Sequence, residues 1–450
     1  MRVEIIETSS LGDRSYVVFD GGTAVVIDPQ RDIDRIIGRV GELGVRITHV
    51  LETHLHNDYV TGGFELSRAA GAEYVVPAGD EIGYAARRIT DGEVIDGGTF
   101  TLRAIHTPGH TREHISYALD DVSGTPVGVF TGGSMLYDST GRTDLLGDDS
   151  TRELTAAQYH SVRRLADELP ADTEVYPTHG FGSFCAASAA GRDSSTVGEQ
   201  RDTNPALTQD EKRFVDELLD NLSAYPAYYE HMGVINRNGP AAVDLSTPAP
   251  VDPAELRRRI EAGEWVVDLR KRTAFASGHL GGSYGFELSD SFVTYLGWLY
   301  AWGAPLTLIG EDSAQIATAK RELVRIGIDG VQGGASGDIE TLTGETPLSS
   351  FRVADFATLA AEIERDDVAV LDVRRNDEFE QSHVSKAINI AVHELAERQD
   401  ELPTAEIWVH CASGYRASVA ASILDRCGRA VVLIDDAYAT AEELGLTGQN

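Results

Sequence analysis

Short apolar runs separated by polar turn residues dominate the first 180 residues of the chain. Val3 to Ile6, Tyr16 to Phe19, Ala24 to Ile27, Ile47 to Leu51, Tyr74 to Val76, Thr101 to Ile105, Ile115 to Leu119 and Val127 to Phe130 each have the length and β-branched content of a strand. After the third run, Ile33, Ile36, Ile37, Val40 and Leu43 recur at helical spacing and predict one amphipathic helix packed by that face. Strands mixed with helices in this way predict a layered α/β architecture. Further on, Phe214, Leu218, Leu219 and Leu222 form a helical stripe, with Thr208 and Glu211 read as a capping box and Tyr225, Tyr228, Tyr229 and His231 as an aromatic cluster behind it. This segment, Asn204 to Pro240, is expected to be an interdomain helix, and the run NGPAAVDLSTPAPVDP marks the next boundary.

Beyond that boundary the pattern repeats. Asp268, Arg270, Phe275 and His279 recur as Asp372, Arg374, Phe379 and His383, every pair offset by 104 residues. Four coincidences at one offset imply a duplication, and each copy has the size of a small domain. The total of 450 residues suits about three domains.

Composition narrows the function classes. With 38 basic and 72 acidic residues the formal charge is −34, which argues against nucleic acid or an anionic membrane as main partner. No stretch reaches the length of about 18 apolar residues that a membrane span needs, and MRVEIIETSS has no leader pattern, so a soluble cytoplasmic protein is expected. Cys185, Cys411 and Cys427 are too few and too scattered for a disulfide framework and read as thiols of a reducing compartment.

Two stretches carry chemistry. In IWVHCASGYRAS an apolar strand runs into a short turn and then a helical stretch, Ala417 to Leu424. Cys411 at the strand end would lie beneath successive backbone N–H groups and the positive end of that helix, a cradle for anionic sulfur. Arg416 adds a fixed charge beside it, whereas Cys427 is expected in the core. In the first copy, APLTLIGEDSAQIA has Gly310 and its neighbours where this cysteine should be. The other stretch is VLETHLHNDYVTGG, which presents His54, His56 and Asp58 at i, i+2 and i+4 from one loop. His110 in HTPGHT and His179 in YPTHG lie at further strand ends, and together these residues make a metal-ligand set.

H-x-H-x-D with G-H-T and T-H-G resembles the metallo-β-lactamase superfamily over residues 1 to about 200. Within it FTGGSMLYDSTGRTDL, SFC and STVGEQRDTNPAL are similar to persulfide dioxygenases. C-A-S-G-Y-R, with the upstream D-V-R and H-V, resembles the rhodanese sulfurtransferases from Phe351 to about Leu446. The resemblance implies an α/β multidomain chain: a metallo-β-lactamase αββα sandwich over 1–245, a pseudo-rhodanese domain lacking the cysteine and serving as scaffold over 250–345, and a rhodanese domain with Cys411 over 350–450. It implies one Fe(II), held in that family by two His and one Asp. His54 and His110 match the histidines, and Gly133 stands at the Asp position, which weakens iron binding and leaves zinc as the other metal. Tyr59 replaces a further histidine and favours a single ion, with His56, Asp58 and His179 as outer or second-site residues. Asp58, Asp138 or a water is the substitute for the missing carboxylate.

By the same resemblance Cys411, Arg416 and Cys185 are catalytic, and Ser413, Gly414 and Tyr415 bind substrate. Arg142 and Asp144 either bind substrate or form a buried ion pair. The activity implied is oxidation of persulfide sulfur to sulfite, with transfer of sulfane sulfur through Cys411. Its partners would be low-molecular-weight or protein persulfides, thiols, sulfite and thiosulfate, and a homo-oligomer is expected. The alternatives are a zinc thioester hydrolase resembling glyoxalase II and a non-catalytic metallo-domain fused to a sulfur carrier.

Overall fold

Along the strand Asp13–Asp20, Tyr16 and Val18 pack on one face and Val17 on the other, and all three are buried. A strand covered on both faces belongs inside a layered structure. It is the second member of a six-stranded sheet ordered Arg2–Thr8, Asp13–Asp20, Thr23–Ile27, Arg46–Leu51, Glu73–Pro77, Arg87–Ile89. A five-stranded sheet runs Glu174–Pro177, Pro126–Gly132, Ile115–Asp120, Thr101–His106, Val94–Asp96. Between the two sheets Tyr16, Val18, Ile27 and Leu51 meet Leu102, Ala104, Tyr117 and Phe130. Helices Asp34–Leu43 and Gly63–Ala70 cover the outer face of the first sheet through Ile36, Val40 and Leu66. Helix Asp148–Glu168 covers the second, packing Val162 and Leu165 against Val129 and Val175. This is the αββα metallo-β-lactamase sandwich expected from the sequence. This computed structural model describes residues 1–187 and 192–448. They fall into two compact units, Met1–Val243 with Val324–Gly327, and Asp244–Leu323 with Ile328–Asn450.

Four expectations need correction. Ile37 is 45% exposed, because the buried face of its helix narrows to Ile36 and Val40. Thr208 caps nothing: it ends the helix Pro205–Thr208 and donates its hydroxyl to the Asn204 carbonyl. The cap of Glu211–Asp220 is Asp210, which accepts from Arg213 N–H, and the capping box lies earlier, at Thr196 and Glu199. That helix packs Phe214, Val215 and Leu218 into the same core as Asp148–Glu168, so the segment belongs to the first unit and not to a linker. Cys427 is exposed, since the helix Tyr415–Arg426 ends just before it and Gly428 turns the chain away.

The second unit holds two parallel sheets, ordered Tyr284–Gly285, Trp265–Asp268, Leu306–Gly310, Val331–Ser336 and Arg352–Ala354, Val431–Ile434, Glu406–His410, Val368–Asp372, Ile388–Asn389. The duplication is preserved down to single atoms. Asp268 and Asp372 each take a forked pair of bonds from the arginine two residues on, and that arginine reaches the carbonyl of Gly278 in one copy and Ser382 in the other. His279 stacks on Phe275 at 4.0 Å and His383 on Phe379 at 4.1 Å. Asp268 pairs with Ile309 and the equivalent Asp372 with His410, so Gly310 stands in the first copy where Cys411 stands in the second. Among the described residues no helix is long and apolar enough to cross a membrane.

Candidate metal centre and thiol loop

Each of the five candidate ligands of the first unit sits on the loop leaving the carboxyl end of a strand. His54, His56 and Asp58 follow Arg46–Leu51, His110 follows Thr101–His106, and His179 follows Glu174–Pro177. The strands end at one rim of the sandwich, which brings the loops together although their residues lie up to 125 apart in sequence. All five groups are buried. Among the described residues three sets have their ligand atoms within 4.8 Å of one another: His54 with His110 and His179, His56 with Asp58 and His179, and His56 with Asp28 and Glu52.

The surroundings fix how these rings are turned. Thr53 donates its hydroxyl to Asp28, so it accepts from Nδ1 of His54 at 2.8 Å. Nδ1 of His110 donates to the Arg142 carbonyl at 2.7 Å. Nδ1 of His179 faces Asp13 at 2.9 Å and Asp58 at 3.0 Å. His56 points Nε2 instead at Tyr59 Oη (3.0 Å) and at the Asp28 and Glu52 carboxylates, both at 3.3 Å. Burial pulls His56 down, but Asp28 and Glu52 outweigh it and lift the imidazole to about 9. Burial and then the charge of His179 take His110 down to about 3. Burial also opposes a charge on His179, yet Asp58 and Asp13 raise it well above its ordinary range.

Gly133 supplies no ligand, and the packing explains why a side chain is missing. A Cβ there would lie 2.2 Å from Cδ2 of His110, so the imidazole occupies the space that a carboxylate would need. His114 fills the neighbouring volume, accepting from Gly133 N–H at 3.0 Å. Asp138 is no substitute: its carboxylate meets Arg192 at 2.8 Å and Thr203, away from the histidines. Asp58 stays within the cluster.

Arg142 forks onto Asp144 with two bonds of 2.7 Å, donates to the carbonyls of Phe184 and Ser223, and lies over the Tyr225 ring. Its guanidinium is therefore held as an ion pair and a backbone tie. Cys185 is fully buried beside Tyr229, and burial together with Asp58 and Asp13 pushes its thiol well up.

In the second unit, Cys411 ends the strand Glu406–His410, and its Sγ accepts from Gly414 N–H at 3.2 Å. The helix begins at Tyr415, earlier than the stretch expected from Ala417, which places Tyr415 and Arg416 in its first turn. Ser413 is exposed at the loop tip. Tyr415 is buried and donates to the Glu287 carbonyl of the first copy at 3.2 Å. Arg416 binds both oxygens of Glu378, Nη2 to Oε1 at 2.8 Å, so its charge is compensated by a carboxylate.

Sequence reasoning missed Asp13, Asp28, His114, Glu378 and Tyr295, whose ring lies 5.8 Å from that of Tyr415. Asp28 had a signal, an acid closing the buried strand Thr23–Ile27, and His114 had another, a second histidine four residues beyond His110. The others gave none.

Comparison with known proteins gives the same division. The sequence model of the metallo-beta-lactamase superfamily matches residues 13–179, and that of the rhodanese-like domain matches 355–440. Persulfide dioxygenase ETHE1 of Homo sapiens is 32% identical over 246 residues, which is 54% of this chain and 82% of that protein. Hydroxyacylglutathione hydrolase of Rhodospirillum rubrum is 32% identical over 162 residues, 36% of this chain and 58% of that one. The crystal structure of a metallo-beta-lactamase from Staphylococcus aureus subsp. aureus COL superposes with a TM-score of 0.68 at 28% identity, covering 75% of this chain and 99% of the other.

Proposed function

Because the chain belongs to the metallo-beta-lactamase superfamily, within the persulfide dioxygenase family over its amino-terminal part, and carries a rhodanese-like domain near its carboxyl end, we propose that it is a sulfur-metabolism enzyme joining persulfide oxidation to sulfur transfer. In this reading residues 1–245 oxidise, 250–345 form a thiol-free support, and 350–450 carry sulfur on Cys411. The observation that carries it is the presence in one chain of a buried histidine cluster and a cysteine seated under a backbone N–H at a helix start. The balance of the first reaction is RSSH + O2 + H2O → RSH + H2SO3, in which oxygen takes the electrons that the outer sulfur loses. For the second, RSSH hands its outer sulfur to Cys411, releasing RSH, and sulfite then takes that sulfur from Cys411 to give thiosulfate.

His54 and His110 fit a divalent ion: both are buried, and Nε2 of His110 has no hydrogen-bond partner. Such an ion supplies a binding place for an anionic sulfur and, if ferrous, for oxygen. The chain's own groups orient these donors, and the buried walls keep water out. Cys185 is the thiol of this unit in the reading; its carbonyl accepts from Arg142 N–H at 2.8 Å, and Asp144 holds the Arg142 side chain. At the second site Gly414 N–H stabilises anionic sulfur on Cys411, and Glu378 steadies Arg416. Three unpaired cysteines suit a reducing, cytoplasmic setting.

Two assays on purified protein test the halves. Iron-loaded protein should consume O2 with a low-molecular-weight alkyl persulfide and lose this in His110→Ala; no uptake by the iron-loaded wild type overturns the first half. Persulfide-to-sulfite sulfur transfer should disappear in Cys411→Ser, and its survival there overturns the second. A zinc thioester hydrolase is the competing reading, favoured by the likeness to hydroxyacylglutathione hydrolase, while Tyr59 and Gly133 leave a two-metal site incomplete at two positions and rank it lower. It requires thioester cleavage in zinc-loaded protein without O2.

A further inference from the structure

We infer that the metal centre is a three-histidine site, formed by Nε2 of His54, His110 and His179, in which His179 takes the place left by the missing carboxylate at position 133. The inference rests on the proposal that the first unit holds a divalent ion and names the set of donors.

Ring orientation is the first ground. A histidine binds a metal through the nitrogen that carries no proton, and the acceptor behind the other nitrogen decides which that is. Thr53 has committed its proton to Asp28, the Arg142 carbonyl can only accept, and Asp13 and Asp58 are carboxylates. Each therefore holds the Nδ1–H of its histidine and leaves Nε2 as the coordinating atom. Partners from separate segments, Thr53, the Arg142 carbonyl and Asp13, impose the same tautomer on three rings.

Spacing is the second ground. Nε2 of His54 and Nε2 of His179 are 3.4 Å apart. Two nitrogens at about 2.0–2.1 Å from a tetrahedral ion lie about 3.4 Å apart. The third ground is an atom with no other employment: Nε2 of His110 is buried without a hydrogen-bond partner, and His110 offers a ring nitrogen within 4.8 Å of donor atoms of both His54 and His179. A buried polar atom left unpaired costs about 1–3 kcal/mol, so a native site that retains one has a use for it.

His56 belongs elsewhere. It stacks on Tyr59 at 4.3 Å, and its Nε2 is committed to the Asp28, Glu52 and Tyr59 nest. Its Nδ1 and Oδ1 of Asp58 are the other unpartnered atoms of the cluster, but they group with each other around His179 and not with His54 and His110. Asp13 and Asp58 behind His179 return negative charge through the imidazole, which makes that ring the strongest donor of the three. The ion such a set takes is a divalent first-row metal, zinc or ferrous iron.

X-ray absorption of the full chain loaded with zinc alone, and separately with ferrous ion under argon, counts imidazole scatterers without any mutation. Three are expected; two, or four, overturn the inference, as does a wild-type chain that retains no metal after gel filtration. Metal content of folded variants gives the residue assignment. His179→Ala is expected to retain less than a tenth of the wild-type metal, like His110→Ala, while His56→Ala retains more than half. The reverse order for His179 and His56 overturns it. Should a three-histidine zinc or iron centre be found in protein that takes up no O2, the ligand set stands and the oxidase half of the proposed function falls. Uptake of O2 with two imidazoles has the opposite meaning.

Discussion

Glycine at position 133 is matched to its surroundings rather than merely reduced. The His110 ring lies where a side chain would project, and a Cβ would come within 2.2 Å of it. Gly133→Asp is therefore expected to displace His110, lower the metal retained per chain and cost about 2 kcal/mol of stability, a fall of roughly 5 °C in Tm for a unit of this size, read by calorimetry. At the thiol loop, the charge of Arg416 is shared with Glu378. Burial alone would raise the Glu378 carboxyl, but the bond and charge of Arg416 outweigh it and hold the group below its usual value. A carboxylate with a lowered folded pKa contributes stability above the unfolded value of about 4.3 and loses it as the pH falls through the folded one. Glu378→Gln should accordingly cost about 2 kcal/mol at pH 7, and the gap between wild type and variant in urea titrations should narrow steadily below about pH 4.

Elements position these residues by ending where they do. Every ligand loop leaves the carboxyl end of a strand at one rim, and Cys411 likewise closes Glu406–His410 before a helix begins. Gly414 makes the turn possible with a φ of 92° and with Asp435 so close that a Cβ would lie 2.1 Å from its Oδ1. Gly414→Ala is expected to reduce sulfur transfer at least tenfold while circular dichroism stays unchanged, because the N–H above Sγ moves. The first copy keeps the same strand with Gly310 in place of the thiol, and what it offers is packing: Glu287 and Tyr295 lie against Tyr415 in the wall of the second copy's loop.

At the scale of the whole molecule, the histidine cluster and the thiol loop belong to different compact units. Each should therefore be lost without the other. Cys411→Ser is expected to retain the wild-type metal content by mass spectrometry of the digested protein, and His110→Ala to retain persulfide-to-sulfite transfer within about twofold. The formal charge of −34 should keep the chain from binding anionic polymers at physiological salt and below, where the repulsion is least screened.

The sequence by itself determined the elements and the chemistry-bearing residues. Alternating apolar runs specified the strands because a strand between two layers needs both faces covered, and the helical stripe at Ile36 and Val40 specified its neighbour. The 104-residue repeat was legible because both copies keep the same aspartate–arginine fork. His54, His110, His179 and Cys411 could be named because metal ligands and thiol loops use few residue types at strand ends. What only the tertiary structure decided was how these residues pair. Thr53, the Arg142 carbonyl and Asp13 choose the tautomers, Glu378 compensates Arg416, and Tyr415 turns toward Glu287. Such partners are ordinary polar groups at sequence separations of up to 166 residues, with no pattern that marks them before the chain folds. Capping at Asp210 and the exposure of Cys427 were likewise settled by where the helices start and stop, which a difference of one or two residues in the backbone decides.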